Sequence, residues 1–167
     1  MERREFVEML AMLPFAGGAM QATELVSAAK GKDTGDRLPV LFLGHGSPMN
    51  GIEDNEFSAS WKRLGREIPA PKAVLAVSAH WLTRGTQVTA MERPRTIHDF
   101  GGFPDELYGL RYPAPGSPDL ACAIAERLGS AGFPALLEPH RGLDHGAWIP
   151  LSLLFPRADV PALQVSI

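Results

Sequence analysis

Two of the five histidines in this sequence each follow a short apolar run. His45 comes after residues 40–43 and one glycine, and His80 comes after residues 73–78 and one alanine. Short apolar runs bounded by turn residues are typical of buried strands. If the two strands are parallel neighbours, both imidazoles lie at the same edge of the sheet, where sites of α/β proteins are found. Neutral imidazoles bind Zn, Fe, Cu or Ni, so the pair predicts a metal site, with hydrogen-bonded turn histidines as the alternative.

The remaining histidines differ in their surroundings. His145 lies directly before a predicted helix, where an imidazole would suit a general base near neutral pH. His98 is followed by a compact aromatic and glycine-rich segment at residues 99–104. This segment would either line a pocket wall or form a structural loop in which the histidine bonds to the backbone. His140 has no such context and is predicted to lie at the surface.

The elements that would position these histidines alternate between strands and helices. Ser117 as N-cap and Pro118 at the first helical position mark the clearest helix. Residues 92–116 contain four prolines and four glycines, which predicts irregular structure. The full set of predicted strands is 40–43, 73–78, 86–91, 134–137 and 161–167, and the predicted helices are 53–67, 117–129 and 148–155. This alternation predicts an α/β sandwich, with a largely parallel or mixed central sheet flanked by helices.

Length and composition fit one soluble globular domain. The chain has 167 residues, 45% of them hydrophobic, and a formal net charge of −3. The slightly acidic balance argues against a nucleic-acid partner. The single cysteine, Cys122, excludes an internal disulfide framework. No apolar run approaches the roughly 20 residues that a membrane span needs.

The N-terminus is similar to an export signal. Arg3 and Arg4 followed by Phe6 resemble the twin-arginine motif, and residues 26–28 are small enough for a cleavage site. We therefore interpret residues 1–29 as a leader, 30–38 as a linker and 39–167 as the folded part. This predicts a periplasmic protein, and the alternative is a cytoplasmic one with an amphipathic N-terminal helix.

Several blocks of sequence follow one another within residues 39–167. They read Leu-Phe-Leu-Gly-His-Gly-Ser-Pro-Met-Asn at 41–50, Ser-Ala-His-Trp at 78–81, Thr-Ile-His-Asp-Phe-Gly-Gly-Phe-Pro at 96–104, Tyr-Pro-Ala-Pro-Gly-Ser-Pro at 112–118, Gly-Leu-Asp-His-Gly-Ala-Trp at 142–148 and Gln-Val-Ser-Ile at 164–167. In this order the blocks resemble the class III extradiol ring-cleavage dioxygenases, in the LigB-like 4,5-DOPA dioxygenase branch.

The resemblance implies a non-haem Fe(II) enzyme that opens a catechol ring with O₂, with Zn(II) as the bound metal in some members. It implies that His45 and His80 are metal ligands and that His145 is an acid/base residue beside the metal. His98 and Phe103 would help to shape the substrate pocket. The partners would be a small catechol and O₂, and a homo-oligomer is left open.

The resemblance also implies a longer chain. Family members continue past Ile167 with a Ser-Gly-Asn…His segment and a Pro-Glu-His segment, and none of the five histidines here matches these. We therefore interpret residues 39–167 as the N-terminal portion of the domain, with an incomplete sheet and doubtful activity alone. The alternative is a non-catalytic metal-binding or dimerising fragment.

A remote alternative is an α/β-hydrolase, because Gly-His-Gly-Ser at 44–47 is similar to an oxyanion-hole turn. That fold also requires a Gly-x-Ser-x-Gly motif. The sequence contains no such motif.

Overall fold

The computed structural model describes residues 38–167. The predicted leader at 1–29, and all of the predicted linker except Leu38, lie outside the described residues. The strands are β1 (Val74–Val77), β2 (Thr86–Thr89), β3 (Ala135–Glu138) and β4 (Ala162–Val165). The helices are α1 (Glu56–Glu67), α2 (Asp105–Gly109), α3 (Pro118–Ser130) and α4 (His145–Leu154), and a 3-10 helix spans Pro48–Gly51.

The four strands form one mixed sheet in the order β1-β4-β2-β3. β1 pairs with β4 in parallel, β2 pairs with β3 in parallel, and β2 meets β4 in antiparallel orientation through Val88 and Val165. Helices pack against this sheet, so the predicted α/β class with a mixed sheet is confirmed.

Local capping explains where the two longest helices begin. Asn55 accepts hydrogen bonds from the backbone N–H groups of Phe57 and Ser58, which starts α1. Ser117 accepts one from Leu120 and Pro118 occupies the first turn, as predicted, which starts α3. α4 begins at His145, three residues before the predicted start at 148. The short helix α2 lies inside the segment predicted to be irregular.

The predicted first strand is wrong. Residues 40–43 alternate in burial, but they are not part of the sheet. Leu41 and Leu43 pack against the core, whereas Val40 and Phe42 are 94% and 95% exposed. A groove of about 310 Å³ is lined by this segment on one side and β1 on the other.

The main core surrounds α4, which is buried on nearly every side. Trp61 and Trp148 contribute the largest side chains of this core, and Trp81 is buried as well. A second cluster, formed by Val88, Ala121 and Leu163, lies between α3 and the sheet. Within residues 38–167, no helix is both long enough and apolar enough to cross a bilayer.

Candidate metal and acid–base site

His45 is held by the turn that follows residues 38–43. Gly46 has a φ of +57°, a left-handed conformation that glycine adopts without strain. Ser47 then accepts a hydrogen bond from the Met49 backbone N–H at 3.2 Å and starts the 3-10 helix. The buried Asn50 side chain reaches back and donates through Nδ2 to the carbonyl oxygen of His45 at 2.9 Å. These contacts fix the backbone of His45 although residues 40–43 before it do not form a strand.

His80 lies three residues after the end of β1. The Ser78 hydroxyl oxygen accepts a hydrogen bond from the backbone N–H of His80 at 3.2 Å, and Trp81 anchors the next position in the core. Gly146 allows the close approach of α4 here, because a Cβ at that position would lie 2.7 Å from Cδ2 of His80. The exposed His80 side chain therefore lies between the end of β1 and the first turn of α4.

His145 is the first residue of α4 and is almost completely buried. Its backbone N–H and its ring Nδ1 both lie 2.9 Å from Oδ1 of Asp99. The adjacent Asp144 does not bond to the ring. Its carboxylate instead accepts hydrogen bonds from Arg141 at 3.2 Å and from Gln164 at 2.8 Å.

The structure brings His45, His80 and His145 together. Nε2 of His45 and Nε2 of His80 are 2.9 Å apart, and the ring of His145 lies 4.0 Å from that of His80 and 5.2 Å from that of His45 between centroids. One ring nitrogen from each residue falls within 4.8 Å of the others. Two donors bound about 2.1 Å from one ion are at most about 4.2 Å apart, so the His45–His80 pair fits a metal ion.

The pKa values of His45 and Asp99 favour the binding of a cation by this cluster. Burial, together with the neighbouring rings of His145 and His80, lowers the pKa of His45 below its ordinary value. Burial raises the pKa of Asp99, but the hydrogen bonds from the backbone and ring of His145 lower it by more, so the net shift is downward. At neutral pH His45 is therefore a neutral ring with a free lone pair, and Asp99 is a carboxylate beside His145.

His98 and Phe103 lie beside this cluster rather than in it. Nε2 of His98 lies 3.0 Å from the carbonyl oxygen of Leu110, so this histidine caps a backbone group, which was the structural alternative for it. The ring of Phe100 contacts the rings of all three neighbours. Its centroid lies 5.6 Å from that of His98, 5.4 Å from that of Phe103 and 5.5 Å from that of His145. The three side chains form an aromatic wall next to His145.

Sequence reasoning missed three residues that support the site: Asp99, Phe100 and Gln164. Asp99 and Phe100 belong to the same block as His98, so the block itself was the available signal. Gln164 lies on β4, fully buried, and its contact with Asp144 spans 20 positions in sequence. His140 is exposed, as predicted.

The family described as the catalytic LigB subunit of aromatic ring-opening dioxygenase matches residues 39–167. The chain belongs to the LigB family. Residues 1–38 lie outside this match, which covers the strands and helices described above and the three clustered histidines.

Curated relatives with this fold carry a specific activity in their names. The chain is 57% identical over 132 residues to "4,5-DOPA dioxygenase extradiol" of Escherichia coli (strain K12), covering 78% of this chain and 48% of the relative. It is 45% identical over 131 residues to the protein of the same name from Beta vulgaris, covering 76% and 49%. The LigB chain thus spans about half the length of the curated relatives it matches.

A more distant relative and a solved structure agree with this placement. The chain is 33% identical over 141 residues to "Dioxygenase tasH" of Hapsidospora irregularis, covering 77% of this chain and 44% of the relative. The crystal structure of an uncharacterized protein from Escherichia coli K12 superposes with a TM-score of 0.62 at 48% identity, covering 78% of this chain and 48% of the other.

Proposed function

We propose that this LigB chain contributes the metal-binding and acid–base histidines of an extradiol dioxygenase that opens a catechol ring with O₂. The observation that carries the proposal is the convergence of His45, His80 and His145, each offering one nitrogen within 4.8 Å of the others. We propose DOPA as the substrate, because relatives that are 57% and 45% identical are named for it.

His45 and His80 would hold the ion through their Nε2 atoms, which face each other at 2.9 Å. We propose Fe(II) as the physiological metal, with Zn(II) as the alternative occupant. A bound Fe(II) would supply the centre at which both catechol oxygens and O₂ meet. Zn(II) has no redox chemistry, so a zinc-loaded chain should bind a catechol without consuming O₂.

His145 would act as the acid/base residue. Its Nδ1 is engaged by Asp99, which leaves Nε2 to take a proton from a catechol hydroxyl and to return one when the ring opens. Phe100, in edge-on contact with His145, would exclude water from this side of the ring. Phe103 extends that apolar wall towards the place where the catechol would lie.

The test is oxygen uptake by the chain loaded anaerobically with Fe(II), followed by DOPA or catechol in air. The expected result is O₂ consumption together with a yellow ring-opened product. His145→Ala should abolish turnover, and His140→Ala is the matched control because that histidine is exposed and lies outside the cluster. A folded, iron-loaded chain that consumes no O₂ would contradict catalysis by this chain and favour a non-catalytic metal-binding role.

We also propose that residues 1–29 direct export to the periplasm through the twin-arginine route. Arg3, Arg4 and Phe6 support the proposal, since paired arginines before an apolar stretch are read by that route. The test is fusion of these residues to a reporter that is active only in the periplasm. The double substitution of Arg3 and Arg4 by lysine should retain the reporter in the cytoplasm, and unchanged export would contradict the assignment.

A further inference from the structure

One oxygen of Asp99 is the hydrogen-bond partner of two groups of His145, its backbone N–H and its ring Nδ1. Oδ1 lies 2.9 Å from the backbone nitrogen and 2.9 Å from ring Nδ1 of the same residue. Because one atom binds the main chain and the ring together, it fixes the side-chain torsion of His145 as well as its position. The carboxylate also satisfies a backbone N–H at the start of α4, where negative charge is favourable.

The same contact sets which ring nitrogen carries the proton. An ionised carboxylate can only accept, so Nδ1 must be the donor. In a neutral ring, protonation of Nδ1 leaves Nε2 with its lone pair free. Partners of this kind on a histidine near a metal fix both the tautomer and the ring orientation.

The ring of His145 packs against both other histidines of the cluster, with its centroid 4.0 Å from that of His80 and 5.2 Å from that of His45. Each of His45, His80 and His145 contributes a single nitrogen to that cluster, and Nδ1 of His145 is occupied by Asp99. The His145 side chain is only 6% exposed, so its ring has little room to flip. Phe100 closes the remaining side with its ring edge-on at 5.5 Å.

The loop that carries Asp99 is itself anchored to the segment before α4. The backbone N–H of Leu143 donates to the carbonyl of Arg95 at 2.8 Å, and that of Ile97 donates to the carbonyl of Leu143 at 2.8 Å. Trp148 then donates through its indole nitrogen to the carbonyl of Ile97 at 2.8 Å. These contacts bring Asp99 to His145 across 46 positions of sequence.

We propose that Asp99 is a positioning residue, which holds His145 as the Nδ1-protonated tautomer with the bare Nε2 directed at the metal and substrate. The catalytic consequence rests on the proposed function. The tautomer itself does not, because it is a property of the metal-free chain and can be measured there.

The test is long-range ¹H–¹⁵N correlation NMR of the metal-free chain with labelled histidine, in which His145→Ala identifies the signal among the five histidines. The wild type should show a protonated Nδ1 and an unprotonated Nε2. Asp99→Ala should shift the proton towards Nε2, whereas Asp99→Asn keeps an acceptor oxygen in place and should retain the wild-type form. Ser117→Ala is the control for the loss of a helix cap, because it removes an N-cap from α3 away from the site.

A wild-type signal with the proton on Nε2 would overturn the proposal even if Asp99→Ala fails to fold. So would an Asp99→Ala chain that folds and keeps the wild-type tautomer. In the iron-loaded chain, Asp99→Ala should lower kcat about 10–100-fold while metal is retained, with Asn restoring most of the rate. If the expected tautomer is found and no variant turns over, the proposed function fails and the positioning role stands.

Discussion

Gln164 and Asp144 hold each other through two hydrogen bonds of 2.8 Å. The Gln164 amide donates through Nε2 to Oδ2 of Asp144, and the backbone N–H of Asp144 donates to Oε1 of Gln164. Both residues are completely buried. The pair thus ties β4 to the residue that precedes His145, and Arg141 supplies the compensating charge at 3.2 Å.

Gln164→Ala should destabilise the fold by about 2–4 kcal/mol, because a buried carboxylate loses a donor and keeps only Arg141 as a partner. Urea unfolding, followed by the shift of the midpoint at constant slope, measures this. Gln87→Ala is the matched control, since that glutamine lies on β2 and only its main chain takes part in the hydrogen bonds described. Equal losses for the two variants would show that the Asp144 contact contributes nothing.

Substitution of a residue that supports a metal's ligands typically weakens metal binding about 10–100-fold. His45→Ala and His80→Ala remove ligands themselves, so each should weaken Zn(II) binding by more than this. His145→Ala should leave the affinity within a few-fold of wild type, since its role here is acid–base chemistry. Isothermal titration calorimetry measures all three, with His140→Ala as the control. If His145→Ala loses as much affinity as the other two, His145 is a third ligand.

Gly146→Ala should displace the ring of His80 and weaken metal binding by about tenfold, because the new Cβ would lie 2.5 Å from Oγ of Ser78 and 2.7 Å from Cδ2 of His80. Overpacking of this kind also costs about 1–3 kcal/mol of stability. Gly129→Ala is the matched control, because it lies in α3 with open space around it and should be neutral or slightly stabilising. Unchanged metal affinity in Gly146→Ala would mean that His80 does not need its observed position.

The ionisation of Tyr112 should lower the stability of the fold at alkaline pH. Burial, with a smaller effect of Asp159, raises the pKa of Tyr112 to about 12 from 10.0. Between these values the unfolded chain loses the phenolic proton and the folded chain keeps it, so stability falls as pH rises from 10 towards 12. Tyr112→Phe should remove this component of the slope, and unfolding midpoints at pH 9 and about 11.5 test it. Tyr108→Phe serves as the control, and an unchanged slope in Tyr112→Phe would contradict the prediction.

The parts of the fold that local chemistry determines were predictable from the sequence. Ser117 and Pro118 start α3 because a hydroxyl cap and a fixed φ act within one turn. Residues 40–43 were predicted to be a strand because their apolar pattern is that of one. Whether an apolar segment joins a sheet depends on its neighbours in space, which a local pattern does not contain.

The candidate site divides in the same way. His45, His80 and His145 could be picked out because each stands in a distinctive turn, and the structure brings them together although no strand leads into His45. Asp99 could not be assigned to His145 from the sequence, because the hydrogen bond between them spans 46 positions. Adjacency in sequence does not predict the partner either, because the carboxylate of the neighbouring Asp144 bonds to Arg141 and Gln164.

The two facing imidazoles are held in place by different kinds of contact. His80 is mounted on the end of a hydrogen-bonded strand, whereas His45 depends on the packing of Leu41 and Leu43 and on one amide from Asn50. Truncation of Leu41 or Leu43 should therefore displace the imidazole of His45 and leave that of His80 in place.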